Sequence, residues 1–282
     1  MKRMENKDIH AVNLELLKHI DEFCCDRNIS YFLDSGTLLG AARNGEFIPW
    51  DDDADIVMPR PDYERFVKEY VDSETYRLYE PSKRNSFLPY ARLCEMRRTF
   101  FKQVNPWTLE SPGVGVDIFP LDGAPDSSEE FDALIGRMVK IRNRLWELRT
   151  ILKGRERFAY RTSPYGFLKD CVHYAIYILR SLSFPVRQIW RNMDKFRRLR
   201  LRHPYETSNK CFYMVVQSVA KKRLWRKEWF ADKVYLDLCG EKFPAPSGYD
   251  ERLTATYGDW RTPPPESERN GHTAVQTMWW RD

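Results

Sequence analysis

The chain has 282 residues, of which 42% are hydrophobic and 31% charged, a soluble globular composition that excludes disordered and fibrous classes and suffices for a sizeable core. Its 46 basic and 41 acidic residues leave a net charge of only +5, and no nucleic-acid recognition motif accompanies that charge, so no nucleic-acid partner is expected. Cys24, Cys25, Cys94, Cys171, Cys211 and Cys239 form no CxxC pair and no metal-ligand rhythm, which points to a reducing cytoplasm.

In chain order, Ile9, Val12, Leu16, Ile20 and Phe23 recur at helical spacing, predicting an amphipathic helix over 8–27. The first residues lack the apolar region of a signal peptide. Residues 29–33 form a short strand candidate, followed by a turn at Ser35-Gly36, a short helix over 37–42 and a turn at Asn44-Gly45. An acidic run, Asp51, Asp52, Asp53 and Asp55, then leads into a second strand at Ile56-Val57-Met58, closed by Pro59 and Pro61 ahead of a helix from Asp62. Residues 76–122 alternate short β-like runs with turns. Asp122, near the end of that stretch, suits a turn or a helix cap.

From Ser127 to about Arg202 the pattern is helical and basic, with Ser127 and Ser128 as caps and Glu129 and Glu130 near the positive helix end. One basic cluster occupies 137–161; the other comprises Arg187, Arg191, Lys195, Arg197, Arg198, Arg200 and Arg202. The apolar run between them, 171–179, is bounded by Asp170 and Arg180 and is too short to cross a bilayer. A solvated face is the ordinary reading of such charge. With Trp146, Phe167, Tyr174, Tyr177 and Trp190 interspersed, the region also suits peripheral contact with an anionic membrane.

Carboxylates packed so closely repel one another unless solvent or a cation intervenes. If 51–56 is extended, Asp51, Asp53 and Asp55 share one face while Asp52, Ala54 and Ile56 share the other. Such a face can hold Mg²⁺, or Mn²⁺ in its place, together with substrate phosphates. A solvated acidic turn is the bland alternative. A calcium loop fails because its sixth and twelfth positions are Ile56 and Asp62. Asp53-Ala54-Asp55 is a literal glycosyltransferase DxD, but too little chain precedes it to build that fold's nucleotide-binding half. The order helix, strand, Gly-Thr, short helix, DxD also matches the nucleotidyltransferase fold of DNA polymerase β and its relatives. Gly36-Thr37 then approaches phosphate, Asp53 and Asp55 form the acidic pair, and Asp117, in the β-like segment VGVDIFPL, supplies the third acid.

The segments SGTLLGAARNGEFIPWDDDADIVMPRPDYERF, GVGVDIFPLDGAP and YDERLTATYGDWRTPPP resemble the LicD family, the bacterial phosphocholine transferases related to fukutin and the fukutin-related protein. The resemblance covers roughly 8–124 and 243–272. It implies an α/β nucleotidyltransferase-type mixed sheet flanked by helices, with a catalytic core over 1–125, a basic helical insertion over 126–205 and a C-terminal part over 206–282 that completes the domain. It further implies Mg²⁺-dependent transfer of a phospho-substituted alcohol from CDP-choline or a CDP-polyol to a hydroxyl of a glycan acceptor, lipid-linked or free. Such an enzyme would work in the cytoplasm, at the inner face of the membrane where its acceptor is lipid-linked. By position Asp53, Asp55 and Asp117 match the catalytic and metal-binding acids and Asp51 the flanking one. Gly36, Thr37, Arg43, Arg92 and Trp50 match the substrate side, with Arg92 standing where the family often has lysine. Trp50 suits either stacking on a base or amine headgroup or simply walling the site. Tyr257-Gly258-Asp259 suits closure of the sheet, and His272 a surface role. Addition of a nucleotide to a small molecule is the alternative enzymatic reading, and a non-catalytic lipid-surface or scaffold protein the non-enzymatic one.

Overall fold

The first helix, α1 (Asn6–Asp26), buries Ile9, Val12, Leu16, Leu17, Ile20 and Cys24 along one stripe, and the Asp8 carboxylate accepts a 2.9 Å hydrogen bond from the Glu5 amide at its start. It packs on a sheet assembled from distant parts of the chain. The computed structural model describes residues 1–101, 112–152, 171, 172, 175, 185–213, 224–269 and 278–282. After α1 come β1 (Phe32–Leu33), α2 (Ser35–Asn44), β2 (Ala54–Pro59), α3 (Arg60–Glu69), β3 (Tyr76–Tyr79), β4 (Ala91–Glu95), β5 (Thr99–Phe101) and β6 (Gly115–Ala124). Two long helices follow, α4 (Ser128–Leu152) and α5 (Pro185–Arg200). The chain then forms β7 (Lys210–Phe212), β8 (Trp225–Arg226), β9 (Lys233–Leu238), β10 (Glu241–Pro246), α6 (Tyr249–Tyr257) and β11 (Met278–Trp280).

The main sheet runs β1-β2-β6-β4-β3, with β7 added along β6 and β8 on β7. Only the β2–β6 pair is parallel within it, so the sheet is mixed. This is the α/β architecture that the sequence leads one to expect, a mixed sheet flanked by helices. Its centre is β6, buried along its whole length. Alternation along β2 and β6 sends Ala54, Ile56, Met58, Val116 and Ile118 into the core under α1 and α3. Val57, Phe119 and Leu121 go to the opposite face, where Cys211, Tyr213 and Trp225 cover them. The C-terminal segments therefore close the second face of a sheet begun by the N-terminal ones.

Several local expectations shift. Ser35-Gly36 is not a free turn: it opens α2, with Ser35 at φ +50°. Regular β2 begins at Ala54, so Asp51, Asp52 and Asp53 precede the strand, yet their exposure still alternates into it, with Asp52 and Ala54 buried and Asp51, Asp53 and Asp55 partly open. Asp122 is neither turn nor cap. It is buried, and both its oxygens are taken, by Arg60 at 2.6 Å and by Arg200 at 2.5 Å. Arg200 also donates to the carbonyls of Pro89 and Pro120. This ion triad anchors the end of α5 to β6 and α3, and Arg197 adds a two-pronged pair with Glu64 at 2.9 and 3.0 Å. Of the second basic cluster, two arginines thus serve internal docking. Among the described residues no helix is long and apolar enough to cross a membrane. His272 and most of 153–184 lie outside the described residues.

Truncating one partner of a buried charge network leaves the others unpaired, at a cost of about 3–5 kcal/mol. Asp122→Ala, which strands Arg60 and Arg200, is expected to lower unfolding stability by about that amount, as measured by urea denaturation. Arg197→Ala, cutting the half-exposed pair with Glu64 and leaving the Arg60–Glu64 contact in place, is expected to cost no more than about 1 kcal/mol in the same assay.

Candidate active site

The site begins at the junction of β1 and α2. Asp34 ends β1, its amide bonded to the Asp55 carbonyl at 3.1 Å and its own carbonyl accepting from Leu38 at 3.0 Å. Its carboxylate is fully buried, paired with Arg252 of α6 at 2.8 Å and receiving the Tyr213 hydroxyl at 2.5 Å. The Arg252 guanidinium lies 3.9 Å from the Trp225 ring centroid, an arrangement in which an aromatic face helps to hold a desolvated cation. Sequence reasoning missed this network. Asp34 directly before Ser-Gly was a visible signal, but nothing in one chain links it to an arginine more than two hundred residues later.

Gly36 is required for a steric reason. A Cβ there would stand 2.1 Å from Oδ2 of Asp51, so the glycine lets that carboxylate lie against the α2 backbone. Gly40 serves likewise a turn further along, where a Cβ would meet the Glu46 carbonyl at 2.3 Å. The loop from 46 to 51 therefore folds back along α2. His10 of α1 holds it by donating from Nε2 to the Asp51 carbonyl at 2.7 Å. Thr37 is buried, and its hydroxyl accepts the Asp55 amide at 2.9 Å, tying α2 to β2.

Asp55 and Asp117 are register partners on the parallel strands β2 and β6, which places their side chains on the same face one strand spacing apart, about 4.8 Å. Arg92 on β4 is the register partner of Asp117 on its other side, with Nε 3.4 Å from Oδ1. Burial raises the pKa of Asp55 well above the usual carboxylate range, and the negative charges of Asp53, Asp117, Asp51 and Asp34 push it further. Asp117 is raised by burial too, but Arg92 and a hydrogen bond from Tyr90 pull against the shift. Its Oδ1 is buried and makes no hydrogen bond. Among the described residues no three His, Cys, Asp or Glu side chains are already gathered about one point. Two facing carboxylates are nevertheless the number that Mg²⁺ commonly takes from a protein when phosphates complete its shell.

Two arginines, Arg43 and Arg269, lie near each other along α2 and Trp50. Arg43 sits at the last turn of α2, about 10 Å along the helix axis from Gly36. Its Nε is buried without a hydrogen-bond partner, and its pKa is lowered by burial and by Arg269. Arg269 lies over the Trp50 ring, 5.0 Å from guanidinium carbon to centroid. Trp50 otherwise packs against the main core, so the structure gives it a wall with one face already carrying a cation. Tyr257, at the end of α6, is 42% exposed. Its phenol is pushed up by burial and by the nearby charges of Asp34, Asp55 and Asp51. Asp259 is exposed and points away from such interactions, bonding Thr262.

Residues 28–136 match the family model described as LicD/FKTN/FKRP, nucleotidyltransferase domain. The chain is 28% identical over 280 residues to the lipopolysaccharide cholinephosphotransferase LicD of Haemophilus influenzae, covering 96% of this chain and 97% of that protein. Shorter matches join it to uncharacterized proteins of Rickettsia typhi, 44% identical over 57 residues (20% of this chain, 18% of that protein), and of Rickettsia prowazekii, 50% identical over 42 residues (15% and 16%). The family match runs from before Gly36 to beyond Asp117 and the relative aligns along nearly the whole chain, so both likenesses span the candidate site.

Proposed function

We propose that the protein is a Mg²⁺-dependent phosphotransferase that moves a phospho-substituted alcohol, phosphocholine first, from a CDP-activated donor to a hydroxyl of a lipopolysaccharide-type glycan precursor. The observation that carries this reading is the in-register pair Asp55 and Asp117, with Asp53 and Asp51 close enough to act on Asp55. Similarity to a lipopolysaccharide cholinephosphotransferase over 96% of the chain supports the choice of donor and acceptor.

Asp53, Asp55 and Asp117, with Asp51 beside them, would hold the metal; the all-oxygen donor set suits a hard cation, and Oδ1 of Asp117, 3.4 Å from Arg92, makes no hydrogen bond that a metal would have to displace. Bound there, Mg²⁺ supplies positive charge to the donor's phosphate oxygens as the bond to CMP breaks. The rest of the work falls to the chain itself. Gly36 lets the Asp51 carboxylate lie against the start of α2 beside the other acids, Arg92 holds Asp117 in place, and Arg43 lends a cation to the leaving nucleotide phosphate. Asp53, partly open to solvent, accepts the proton of the attacking acceptor hydroxyl. One P–O bond forms to the acceptor, the P–O bond to CMP breaks, and CMP departs with the electron pair.

The second basic cluster supports peripheral contact with an anionic inner leaflet. Arg197 and Arg200 are engaged in internal pairs, but Arg187, Arg191, Lys195 and Arg198 along α5, and Arg202 just beyond it, are all exposed. Asp194 is the acid among them, and it pairs with Arg84 at 3.5 Å. Each cation held near anionic lipid contributes on the order of 1 kcal/mol, screened by salt.

Incubation with CDP-choline, CDP-ribitol or CDP-glycerol and glycan extract is expected to release CMP only with Mg²⁺ or Mn²⁺ present. Asp55→Asn and Asp117→Asn are each expected to slow that release roughly a hundredfold or more, the scale of losing charge stabilisation in a transition state. Pyrophosphate release from a nucleoside triphosphate in place of CMP release would assign nucleotidyl transfer instead. Failure of every donor to turn over would sink the enzymatic reading.

The metal-free protein carries its own signature. A carboxyl whose folded pKa is raised favours folding where it is protonated, so stability is gained as pH falls from neutrality toward the unfolded carboxylate value of about 3.9. Thermal melts in a chelating buffer are expected to show that gain for the native chain and less of it for Asp55→Asn. Added Mg²⁺ is expected to stabilise the native chain at pH 7 and leave Asp55→Asn unmoved.

For the membrane, the triple variant Arg191→Glu, Lys195→Glu, Arg198→Glu is expected to lose flotation with anionic liposomes at low salt while keeping its affinity for the CDP donor. A native chain that fails to float at low salt would leave α5 as a solvated face.

A further inference from the structure

Arg269 has no role in the reading above, and its surroundings are unusual for a surface arginine. It is carried by the stretch after Pro263–Pro265, and its Nε donates to the Pro264 carbonyl at 3.0 Å. That bond fixes the side chain's direction, toward the face of Trp50. Its acidic neighbour, Glu266, stands 3.7 Å away and is itself 91% exposed, a contact that water largely screens. Arg43 is the nearby partner. Among the described residues it forms no ion pair, and its buried Nε has no acceptor. The negative end of α2 accounts for a cation at this position. It does not account for a buried donor left unsatisfied, which costs free energy unless something arrives to bond it.

The Arg269 guanidinium thus lies over the aromatic wall that leads directly into Asp51, and it is near enough to the unsatisfied Arg43 for the two to repel each other. We infer that Arg269 and Arg43 together form a phosphoryl-binding subsite beside Trp50, which grips the pyrophosphate link of a nucleotide-activated donor. The chemistry follows from the side chains: each offers a planar fork of donors suited to two phosphate oxygens, and neither is held by a buried acid that would compete. It also assigns the Trp50 face. A trimethylammonium group would meet Arg269 there, so the cationic end of a choline donor lies elsewhere and the phosphates lie here. The inference rests on a phosphate-bearing donor being the substrate, and it adds a residue of the stretch after Pro265 to the site.

Calorimetric titration of the full chain tests this without turnover. Sodium pyrophosphate and CDP-choline are the probes, in a buffer with chelator so that the acids cannot contribute through a metal. Arg269→Met and Arg43→Met are each expected to weaken pyrophosphate and CDP-choline binding roughly tenfold, the scale of one charge-assisted hydrogen bond. Arg269→Lys, which keeps the charge but loses the fork, is expected to regain some of that loss, a graded response that misfolding would not give. A native chain that does not bind pyrophosphate, or Met variants that bind either probe as tightly as the native chain does, would overturn the subsite. A native chain that binds pyrophosphate through Arg269 yet rejects CDP-choline would keep the subsite and remove the cytidine donor.

Discussion

The parallel pairing of β2 with β6 is the constraint on which the rest of the molecule depends. Parallel strands cannot be joined by a tight turn, and here the connection between them carries α3, β3, β4 and β5. That long detour brings Asp117 level with Asp55 and lets β4 return antiparallel on the far side, so that Arg92 comes level with Asp117. Three charged residues thereby lie abreast across three strands, each set by register rather than by loop conformation. A slip of one residue in either pairing would turn a carboxylate into the core beneath α1. The apolar neighbours Ala54, Ile56, Val116 and Ile118 forbid it, because they would then face the opposite way.

A second regularity organises the remainder. Acids of the early chain are met by arginines that arrive late: Arg252 on Asp34 and Arg200 on Asp122, both pairs buried. A buried ion pair adds little net stability by comparison with apolar packing, but half of one is costly. Such pairs therefore penalise any arrangement in which the helical region or the C-terminal segment is docked elsewhere. They fit the picture of a core whose second face is closed only when β7, β8 and α6 come home, with Tyr213 and Trp225 sharing both the apolar contacts and the polar ones.

What could be read from the chain alone was local. Helical spacing located α1, Gly-Thr and the acidic run located the ends of α2 and β2, and period-two alternation put Asp51, Asp53 and Asp55 on a common side before any strand was seen. Asp117 was found because Val116 and Ile118 bracket it in the same alternation. Apart from the turn expected at Ser35-Gly36, which opens α2, the errors were non-local. Asp122 looks like a turn residue until Arg60 and Arg200 are known to reach it, and Arg200 looks like part of a solvated basic face until Asp122 is known to be buried. Glycine at 36 suggested an approach to phosphate, whereas in the fold it first makes room for Asp51. Arg252 and Arg269 carried no signal of their own, since one cation among 46 basic residues is not distinguishable until its partner is in view.

These pairings also separate structure from chemistry within the molecule. Where charge is buried for the sake of the fold it is balanced: Asp122 has two arginines, and Asp34 has one with a tyrosine hydroxyl besides. Around Asp55 that balance fails. Asp53, Asp117, Asp51 and Asp34 all act on it in the same direction, and Arg92 is committed to Asp117. Near Trp50, charge of the opposite sign gathers in Arg269 and Arg43. Crowding like charges costs stability on both sides, and among the described residues no ion pair joins Arg43 or Arg269 to Asp55 or Asp117. A ligand that presents phosphate to the arginines and a cation to the acids would relieve both at once, which is the charge pattern of a metal-bound nucleotide donor.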